Sequence, residues 1–306
     1  MEAGSCLRVR PKLSPPMRVT AFLWASLALA AGAASAQPAR AGGQEAAEAL
    51  LAEVLEHRET VRPLEGRLTF RQLITTQRLD EDQSVVASAN ALYEYEPVHG
   101  RHLWKLLERD GEPIAGRRFR REERRYRRAI ESAEEEAEED RLALERQDPD
   151  YEVLPKNGMD LFYKIIQDAV ELEMFEGELA RRDTWRGRPV EVVRFWPRPG
   201  FDDAPNRMMS VVSKCEGELW VDAESRQIAR VRTVLTEAEN FVAGLFGRLH
   251  RGTSADVESE FDGTLWLPKR VTMTVDARMF FFRRIRRRVH YDFLDFRSLS
   301  TSLDRE

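Results

Sequence analysis

Few residues of this sequence have the types and spacing that chemistry at a protein site requires. Its two cysteines, Cys6 and Cys215, are too few for a zinc or iron–sulfur site built from several thiolates. A catalytic thiol needs a histidine partner, and the sequence shows no Cys/His pattern around Cys215. We therefore expect Cys215 to be a small buried residue of a strand.

The sequence also lacks the residue patterns of a metal or cofactor site. His99 and His102 are three residues apart, but they flank a glycine turn without further ligands nearby, so we interpret them as surface turn residues. The acidic run Asp80, Glu81 and Asp82 lacks the glycine and the distal glutamate of a calcium loop and predicts a turn. Motifs of serine hydrolases, zinc proteases, phosphate-binding loops and dinucleotide-binding enzymes are absent from the sequence. We expect no metal, no cofactor and no enzymatic activity.

A basic cluster near the C-terminus is a candidate site for an anionic head group. Its members are Arg283, Arg284, Arg286, Arg287 and Arg288. In a strand, Arg287 shares a face with Ile285 and Val289, and a charge that points into a sealed core is costly. Either this strand end extends past the core, or the arginines lie at a wet cavity mouth and capture phosphate or lipopolysaccharide head groups. The adjacent run 280–282, three phenylalanines, favours an anionic amphiphile.

Two strands near the C-terminus show strict alternation of apolar and polar residues. Their apolar positions are Leu265, Leu267, Val271, Met273, Val275, Ile285, Val289, Tyr291 and Phe293. We predict that the two strands form a hairpin across residues 276–282 and that this face lines the concave side of a sheet. The face is then either sealed core or, where covering helices leave a gap, a dry groove shaped for an acyl chain.

The N-terminus has the three-part layout of a secretory signal peptide. Basic residues precede the apolar run 21–32, and the small residues 34–36 provide a cleavage site after Ala36. We predict a mature chain that begins at Gln37 and is soluble in the periplasm or secreted, with an uncleaved anchor as the alternative. Because the segment from Met17 is already a complete signal peptide, either Met1 or Met17 is the start of the protein.

Composition and spacing together predict the fold class. The 306 residues are 42% hydrophobic, which is enough for a core, and the net charge of −5 argues against a nucleic-acid binder. Helical spacing predicts helices over 46–57 and 159–170, with Pro63 beyond the end of the first. Strand patterns at about ten-residue intervals fill much of the rest. We predict one α+β domain over 37–306, in which helices cover a curved antiparallel sheet, or half-barrel.

Three further features of the sequence give local predictions. We predict that strand 211–221 pairs with strand 227–235 across a turn. The apolar segment 241–249 indicates a lid, a cavity-plugging helix or ordinary core. Trp220 and Trp266 have the opposite parity to the more apolar face of their strands, so they point outward or mark the rim.

A charged helical insertion is predicted at about 115–148. Residues 117–128 contain eight arginines, and residues 131–140 contain seven acidic side chains. This order opposes the helix dipole, and like charges repeat four residues apart. We interpret 117–147 either as a solvent-exposed arm or as a docking element for an envelope protein or an anionic surface.

Three strand-and-turn motifs carry a family resemblance. They are GELWVDAESRQIARV at 217–231, FDGTLWLPKRV at 261–271 and VHYDFLDFR at 289–297, with GRPV at 187–190 before them. Together they resemble bacterial secreted proteins related to the outer-membrane lipoprotein-sorting superfamily of LolA/LolB-like half-barrels. The similarity covers about 170–297 well and 46–110 loosely. It implies a periplasmic carrier fold whose concave apolar face holds acyl chains or a lipid-like ligand, and it assigns no individual functional residue.

Two functions from different classes fit these observations. The first is a periplasmic, non-catalytic binding or carrier protein for a lipid or acylated ligand of the bacterial envelope. The second is a structural or regulatory envelope module that acts through protein–protein contacts, with 117–147 as the contact element. Neither involves nucleic acid.

Overall fold

The structure, a computed structural model, describes residues 41–146, 158–242, 247–279 and 283–298. The predicted signal peptide and the three phenylalanines at 280–282 lie outside these residues. Four helices are described: α1 (Ala41–Glu65), α2 (Gly116–Glu145), α3 (Gly158–Glu171) and α4 (Arg207–Val212).

Thirteen strands are described in the same residues. In chain order they are β1 (Leu68–Leu79), β2 (Val85–Val98), β3 (Arg101–Arg109), β4 (Glu112–Pro113), β5 (Phe175–Trp185), β6 (Arg188–Pro197), β7 (Cys215–Asp222), β8 (Ile228–Leu235), β9 (Glu239–Val242), β10 (Gly247–Leu249), β11 (Ser254–Phe261), β12 (Trp266–Met279) and β13 (Arg283–Ser298).

These strands form one large antiparallel sheet. Its order is β4-β3-β2-β1-β13-β12-β11-β8-β7-β6-β5, with the short β9–β10 pair attached to β12. Strands β1 and β13 pair over most of their length, which joins the N-terminal meander to the C-terminal one. The terminal strands β4 and β5 do not pair, so the curved sheet stays open. The predicted α+β class and the half-barrel are confirmed.

Helices α1 and α3 cover one face of the sheet and create the main core. Leu50 and Val54 of α1 and Phe162 of α3 pack against residues of β6, β7, β8 and the C-terminal strands. Their spacing places the apolar side chains of each helix on one stripe, and the sheet supplies the matching apolar face. The main core is therefore a helix-on-sheet layer.

Helix α1 continues past the predicted end at residue 57 and contains Pro63 in its last turn. The prediction that Pro63 lies beyond the helix is wrong, because tertiary contacts outweigh the missing N–H of proline near the helix end. Val61 is buried against Leu265 and Leu267, and Arg58 forms buried ion pairs. These contacts hold the extra two turns in place.

Two further segments differ from the sequence expectation. Residues 207–212 form α4, whose N-cap Asn206 accepts a hydrogen bond from the Met209 N–H at 3.0 Å, so β7 begins only at Cys215. Within 241–249, the described residues, 241–242 and 247–249, belong to the short strands β9 and β10. Leu249 lies in the main core, which agrees with the ordinary-core alternative.

The opposite face of the sheet has its own apolar cluster. It contains Val190, Val192, Trp220, Ala229 and Trp266, which alternate with main-core residues along their strands. The Arg230 guanidinium covers Trp220 at 5.2 Å from the ring centroid. The outward interpretation of both tryptophans is thus correct in direction, but both side chains are buried beneath neighbouring side chains.

Helix α2 covers the free edge of β3. Strand β3 pairs with β2 on one side, but on its outer side β4 pairs only with residues 108–109, which leaves the outer edge of the earlier part of β3 unpaired among the described strands. The Glu122 carboxylate accepts the Leu106 N–H at 2.8 Å, and the Arg125 guanidinium donates to the Trp104 carbonyl. The same guanidinium stacks on the Trp104 ring at 3.4 Å. The charged helix therefore satisfies backbone groups that an exposed edge would offer to another strand.

Candidate functional site

An apolar cavity of about 430 Å³ lies between α1, α3 and strands β5 to β8. Its helical walls are formed by Ala47, Leu51, Ala52, Leu55, Phe162, Ile165, Ile166, Ala169 and Val170. Its floor and far wall are formed by Phe175, Gly177, Val193, Phe195, Val212, Leu219, Val231 and Thr233. Its charged lining residues are few, so the interior is suited to a hydrocarbon ligand.

The spacing of apolar residues along α1 and α3 places the side chains that line this cavity. Leu51 and Leu55 follow each other at i and i+4 on α1, and Ile165 and Ala169 do the same on α3. Each pair therefore projects from one side of its helix towards the sheet. The two helices cover the sheet without filling the space between them, and the unfilled part is the cavity.

Gly217 makes room for an aromatic wall of the cavity. A Cβ atom at this position would lie 2.1 Å from the Arg232 carbonyl oxygen and 2.9 Å from the Phe195 ring. Glycine lets the Phe195 ring lie close to β7, where it contacts Phe175 edge-on with centroids 5.2 Å apart. Both rings line the cavity. In the sequence, Gly217 begins the first strand-and-turn motif, and no local pattern there indicates this role.

Charged residues make up a small part of the cavity lining. They are Glu48, Glu173, Glu176 and Arg198. Arg198 forms an ion pair with Glu173. The Trp196 indole N–H donates to Glu176 at 3.0 Å. Because Trp196 alternates with Phe195 along β6, the Glu176 carboxylate lies on the sheet face away from the Phe195 ring.

A second, polar cavity of about 380 Å³ lies between the same two helices, and Leu55 lines both cavities. At its base, Arg58 is buried and pairs with Glu65 at 2.8 Å and with Asp160 of α3 at 2.9 Å. Burial raises the pKa of Glu65 to about 7, and the nearby Arg58 charge only partly opposes this. These buried groups tie α1 to α3 beside the apolar cavity.

The nine apolar residues predicted to line a ligand groove lie elsewhere. Register pairs Val271 with Tyr291 and Met273 with Val289, so the predicted hairpin and shared face are confirmed. The structure buries Val271, Met273, Val289, Tyr291 and Phe293 in the main core, packs Leu265 and Leu267 against α1, and leaves Val275 and Ile285 partly exposed. None of the nine lines the cavity described above. Contact between this face and a ligand stays a prediction.

The predicted arginine cluster does not converge on one place. Arg284 binds the Asp276 carboxylate at 2.7 Å, and Arg286 reaches the same carboxylate at 3.3 Å. Arg287 is exposed on the other face of β13, and Arg288 is half-buried. Arg283 begins the strand, but its side chain lies outside the description. This arrangement agrees with a strand end that extends past the core, and capture of an anionic head group stays a prediction.

Cys215 and the histidines adopt structural positions. The Cys215 side chain is fully buried and its thiol donates to the Val211 carbonyl at 3.1 Å, while burial raises the pKa of the thiol. His102 contacts the Leu68 carbonyl at 2.9 Å, and burial lowers its pKa. His99 occupies a turn between β2 and β3. Among the described residues, no group of three or more His, Cys, Asp or Glu side chains could hold a metal ion.

The predicted acidic turn is confirmed. The Asp80 carboxylate accepts the backbone N–H groups of Asp82 at 3.0 Å and Ser84 at 2.8 Å. These bonds stabilise the turn between β1 and β2. Across the ranges that the structure describes, no helix is both long enough and apolar enough to cross a membrane.

Comparisons with known proteins find similarity in structure. No protein-family model and no curated protein matches the chain. A LolA superfamily protein from Nitrosomonas europaea is 13% identical, covers 84% of this chain and 97% of its own, and has a TM-score of 0.34. An outer-membrane lipoprotein-sorting protein domain from Vibrio parahaemolyticus is 10% identical, with coverages of 83% and 95% and a TM-score of 0.33. The MucA/MucB complex structure from Pseudomonas aeruginosa is 10% identical, with coverages of 81% and 100% and a TM-score of 0.22.

The chain is similar to structures of the lipoprotein-sorting superfamily and has an α+β fold in which helices cover an open antiparallel sheet. What it binds must be argued from its own cavity.

Proposed function

We propose that this protein is a periplasmic, non-catalytic binding or carrier protein for a lipid or acylated ligand of the bacterial envelope. The apolar cavity between α1, α3 and the sheet is the observation that carries this proposal. It lies between elements rather than within one, so a chain can enter by small movements of the two helices. Its lining offers a hydrocarbon chain the contacts that water cannot use.

The size of the cavity supports an acyl ligand. Its volume of about 430 Å³ lies within the range of small-molecule sites, which is about 300–1,000 Å³. Burial of about a dozen methylenes contributes up to about 10 kcal/mol at about 0.8 kcal/mol per CH₂. The costs of immobilising the chain reduce this gross figure. This gain is counted from water, and a chain in a micelle or membrane is already out of water. The cavity therefore offsets the cost of removing the chain from the membrane, and such a near balance suits both uptake and release.

The proposed location rests on the N-terminal sequence. The signal peptide directs export, and cleavage after Ala36 gives a mature domain over 37–306 that carries its ligand between membranes. N-terminal sequencing of the envelope fraction checks this part of the proposal. A mature chain that retains residues before Met17 contradicts it.

A matched pair of alanines on α1 provides the main test. Ala52 lines the cavity and is exposed, so Ala52→Trp fills the cavity mouth without overpacking the core. Ala49 lies on the same helix, is also exposed and does not line the cavity, so Ala49→Trp is the control. We expect lipid in an organic extract of the purified protein, and we expect Ala52→Trp alone to lower uptake of a long-chain fluorescent probe.

The outcome distinguishes a binding cavity from an empty packing defect. Absence of lipid from the parent protein, together with no probe uptake, refutes the carrier proposal. Equal uptake by both tryptophan variants at unchanged stability also refutes it. Urea unfolding of both variants shows that a loss of uptake is not a loss of fold.

A second candidate function is an envelope module that acts through protein contacts of α2. The specific observation is that α2 anchors on β3 through a few side chains, such as Glu122 and Arg125, while most of its charges face outward. A photoreactive amino acid in place of the exposed Arg128 tests this candidate. We expect one discrete cross-linked envelope protein, absent when the same group replaces Glu260 on β11.

A further inference from the structure

Helix α2 carries a regular stripe of residues on the side that faces away from the sheet. The buried residues Glu122, Ala133 and Asp140 mark the side of the helix that faces the domain. On the opposite side, residues recur at alternating steps of four and three, which is the spacing at which two helices meet along their length. We call this stripe the charged seam, and its members are Arg117, Arg121, Arg124, Arg128, Glu131, Glu135, Glu138 and Leu142.

Charge divides the seam into two halves. Its first four members are arginines and its next three are glutamates, and all seven side chains are exposed. Glu138 pairs with Arg141 on the next turn of the same helix. Among the residues that the structure describes, the other charged members form no ion pair, and they are Arg117, Arg121, Arg124, Arg128, Glu131 and Glu135. Within one chain these side chains have mainly like-charged neighbours, and the arginines lie at the unfavourable end of the helix dipole.

The seam is complementary to its own reversed copy. A second α2 can lie antiparallel across it, with a two-fold axis midway between residues 129 and 130. Each inner arginine then faces a glutamate of the other copy: Arg128 faces Glu131, Arg124 faces Glu135 and Arg121 faces Glu138. Because such an interface is isologous, every one of these contacts occurs twice. The two helix dipoles also run in opposite directions, which is favourable for neighbouring helices.

A membrane surface matches this charge pattern less well. Anionic head groups would attract the arginine half of the seam, but the glutamate half follows on the same side of the same helix and would meet like charge. A second copy satisfies both halves in one register. The charge pattern therefore favours a second copy of this chain.

We propose that α2 is a homodimerisation element, in which the charged seams of two copies pack antiparallel. From residue 117 to residue 142 the seam is about 38 Å long at 1.5 Å per residue, and nearly all of it is charged. Exposed ion pairs are individually weak, so this is a transient dimer that high salt dissociates. The inference is independent of the proposed carrier function, because the cavity lies over β5 to β8, at the other end of the sheet from β3 and α2.

Sedimentation equilibrium of the mature protein tests the dimer. We expect the parent to shift from monomer towards dimer as its concentration rises to about 0.5 mM at low salt, and to stay monomeric at high salt. Arg124→Glu and Glu135→Arg each place like charges opposite each other twice in the dimer, so each should weaken self-association about tenfold or more. Arg118→Glu is the matched control, since Arg118 is exposed on α2 outside the seam and the charge change is the same as in Arg124→Glu. It should dimerise like the parent.

A mixture of the two seam variants provides the decisive measurement. In a heterodimer, the carboxylate introduced at position 124 of one chain faces the guanidinium introduced at position 135 of the other. The unchanged Glu135 of the first chain faces the unchanged Arg124 of the second. We expect the equimolar mixture to recover the parent's affinity to within about threefold. A residue that serves only the stability of its own chain cannot produce this rescue.

Each contrary outcome overturns the proposal. These outcomes are a parent that stays monomeric at low salt, a dimer that Arg124→Glu leaves intact, and a mixture that does not associate. A monomeric parent that sediments with phosphatidylglycerol vesicles would assign the seam to a membrane, and a monomer that cross-links through α2 to a different protein would assign it to that partner. Lipid uptake is measured separately, so none of these results decides the carrier proposal.

Discussion

The buried carboxyl of Glu65 should make the stability of this protein depend on pH in an unusual direction. Glu65 lies at the end of α1, where Arg58 contacts it at 2.8 Å and Asp160 of α3 shares the same guanidinium. Burial and the Asp160 charge raise its pKa from 4.5 to about 7, and Arg58 and Arg62 oppose the shift only in part. The folded state therefore holds this proton more tightly than the unfolded state does.

The magnitude follows from linkage. Below pH 4.5 both states are protonated at Glu65, and the full contribution to stability is present. As the pH rises towards and through 7, the unfolded state loses its proton first and the contribution is lost. Since one pKa unit corresponds to about 1.4 kcal/mol, the shift from 4.5 to about 7 corresponds to a loss of up to about 3 kcal/mol.

Substitution of Glu65 by glutamine isolates this contribution. Glu65→Gln retains the size and the acceptor oxygen of the side chain, and Arg58 keeps its ion pair with Asp160. The parent and the Glu65→Gln variant must be compared at each pH, because other groups also titrate in this range. Burial lowers the pKa values of His102 and His290, and these groups make stability rise with pH. Only the difference between parent and variant reports on Glu65.

The assay is urea unfolding of the mature protein at several pH values between 4.5 and 8. We expect the parent to lose stability relative to Glu65→Gln as the pH rises, by up to about 3 kcal/mol across the range. Glu59→Gln, an exposed change on the same helix, should run parallel to the parent. If the Glu65→Gln curve is also parallel to the parent, Glu65 does not titrate abnormally and the reasoning is refuted.

Three further predictions concern other parts of the fold. Gly217→Ala should destabilise the protein by about 3 kcal/mol, because its Cβ would lie 2.1 Å from a backbone carbonyl of the facing strand. Gly43→Ala, whose Cβ would make only an ordinary contact at 3.5 Å, should not destabilise it. Equal urea midpoints for the two variants would contradict this prediction. The Cys215→Ser variant should fold, with a stability about 1–2 kcal/mol lower than that of the parent. The thiol of the parent should resist alkylation until the protein unfolds. Rapid alkylation of the native protein would count against a buried thiol. Glu122→Ala should lower stability by about 1–3 kcal/mol and promote self-association, since the Leu106 N–H at the sheet edge loses its acceptor. An unchanged elution volume in size-exclusion chromatography at high protein concentration would show that other contacts protect the edge.

Local sequence patterns predicted most helices and strands, and they failed where contacts with distant parts of the chain set the end of an element. The alternation in β12 and β13 predicted their shared face, and register confirms it through Val271 with Tyr291. Helix α1 passes Pro63 because Arg58 and Val61 are buried against residues far along the chain. No local pattern contains that information, since these partners are Asp160 in α3 and Leu265 and Leu267 at the start of β12.

The candidate site depended even more on contacts between distant parts of the chain. Apolar stripes on α1 and α3 were visible in the sequence, and so was an apolar sheet face. Whether two such surfaces seal against each other or leave a space depends on how far apart the helices lie, and that distance is set by packing and by the Arg58–Asp160 contact. Most of the face shared by β12 and β13 is buried in the core, and the cavity lies over β5 to β8.

By itself, the sequence determined the alternation of strands, the apolar stripes of the helices, the charged insertion and the α+β class, because these follow from residue periodicity along a short stretch of chain. Only the tertiary structure decided where the cavity lies and which carboxyl is buried beside an arginine. Those features arise where elements from distant parts of the chain meet. Their positions depend on side-chain volumes and on partially filled space, which no single segment encodes.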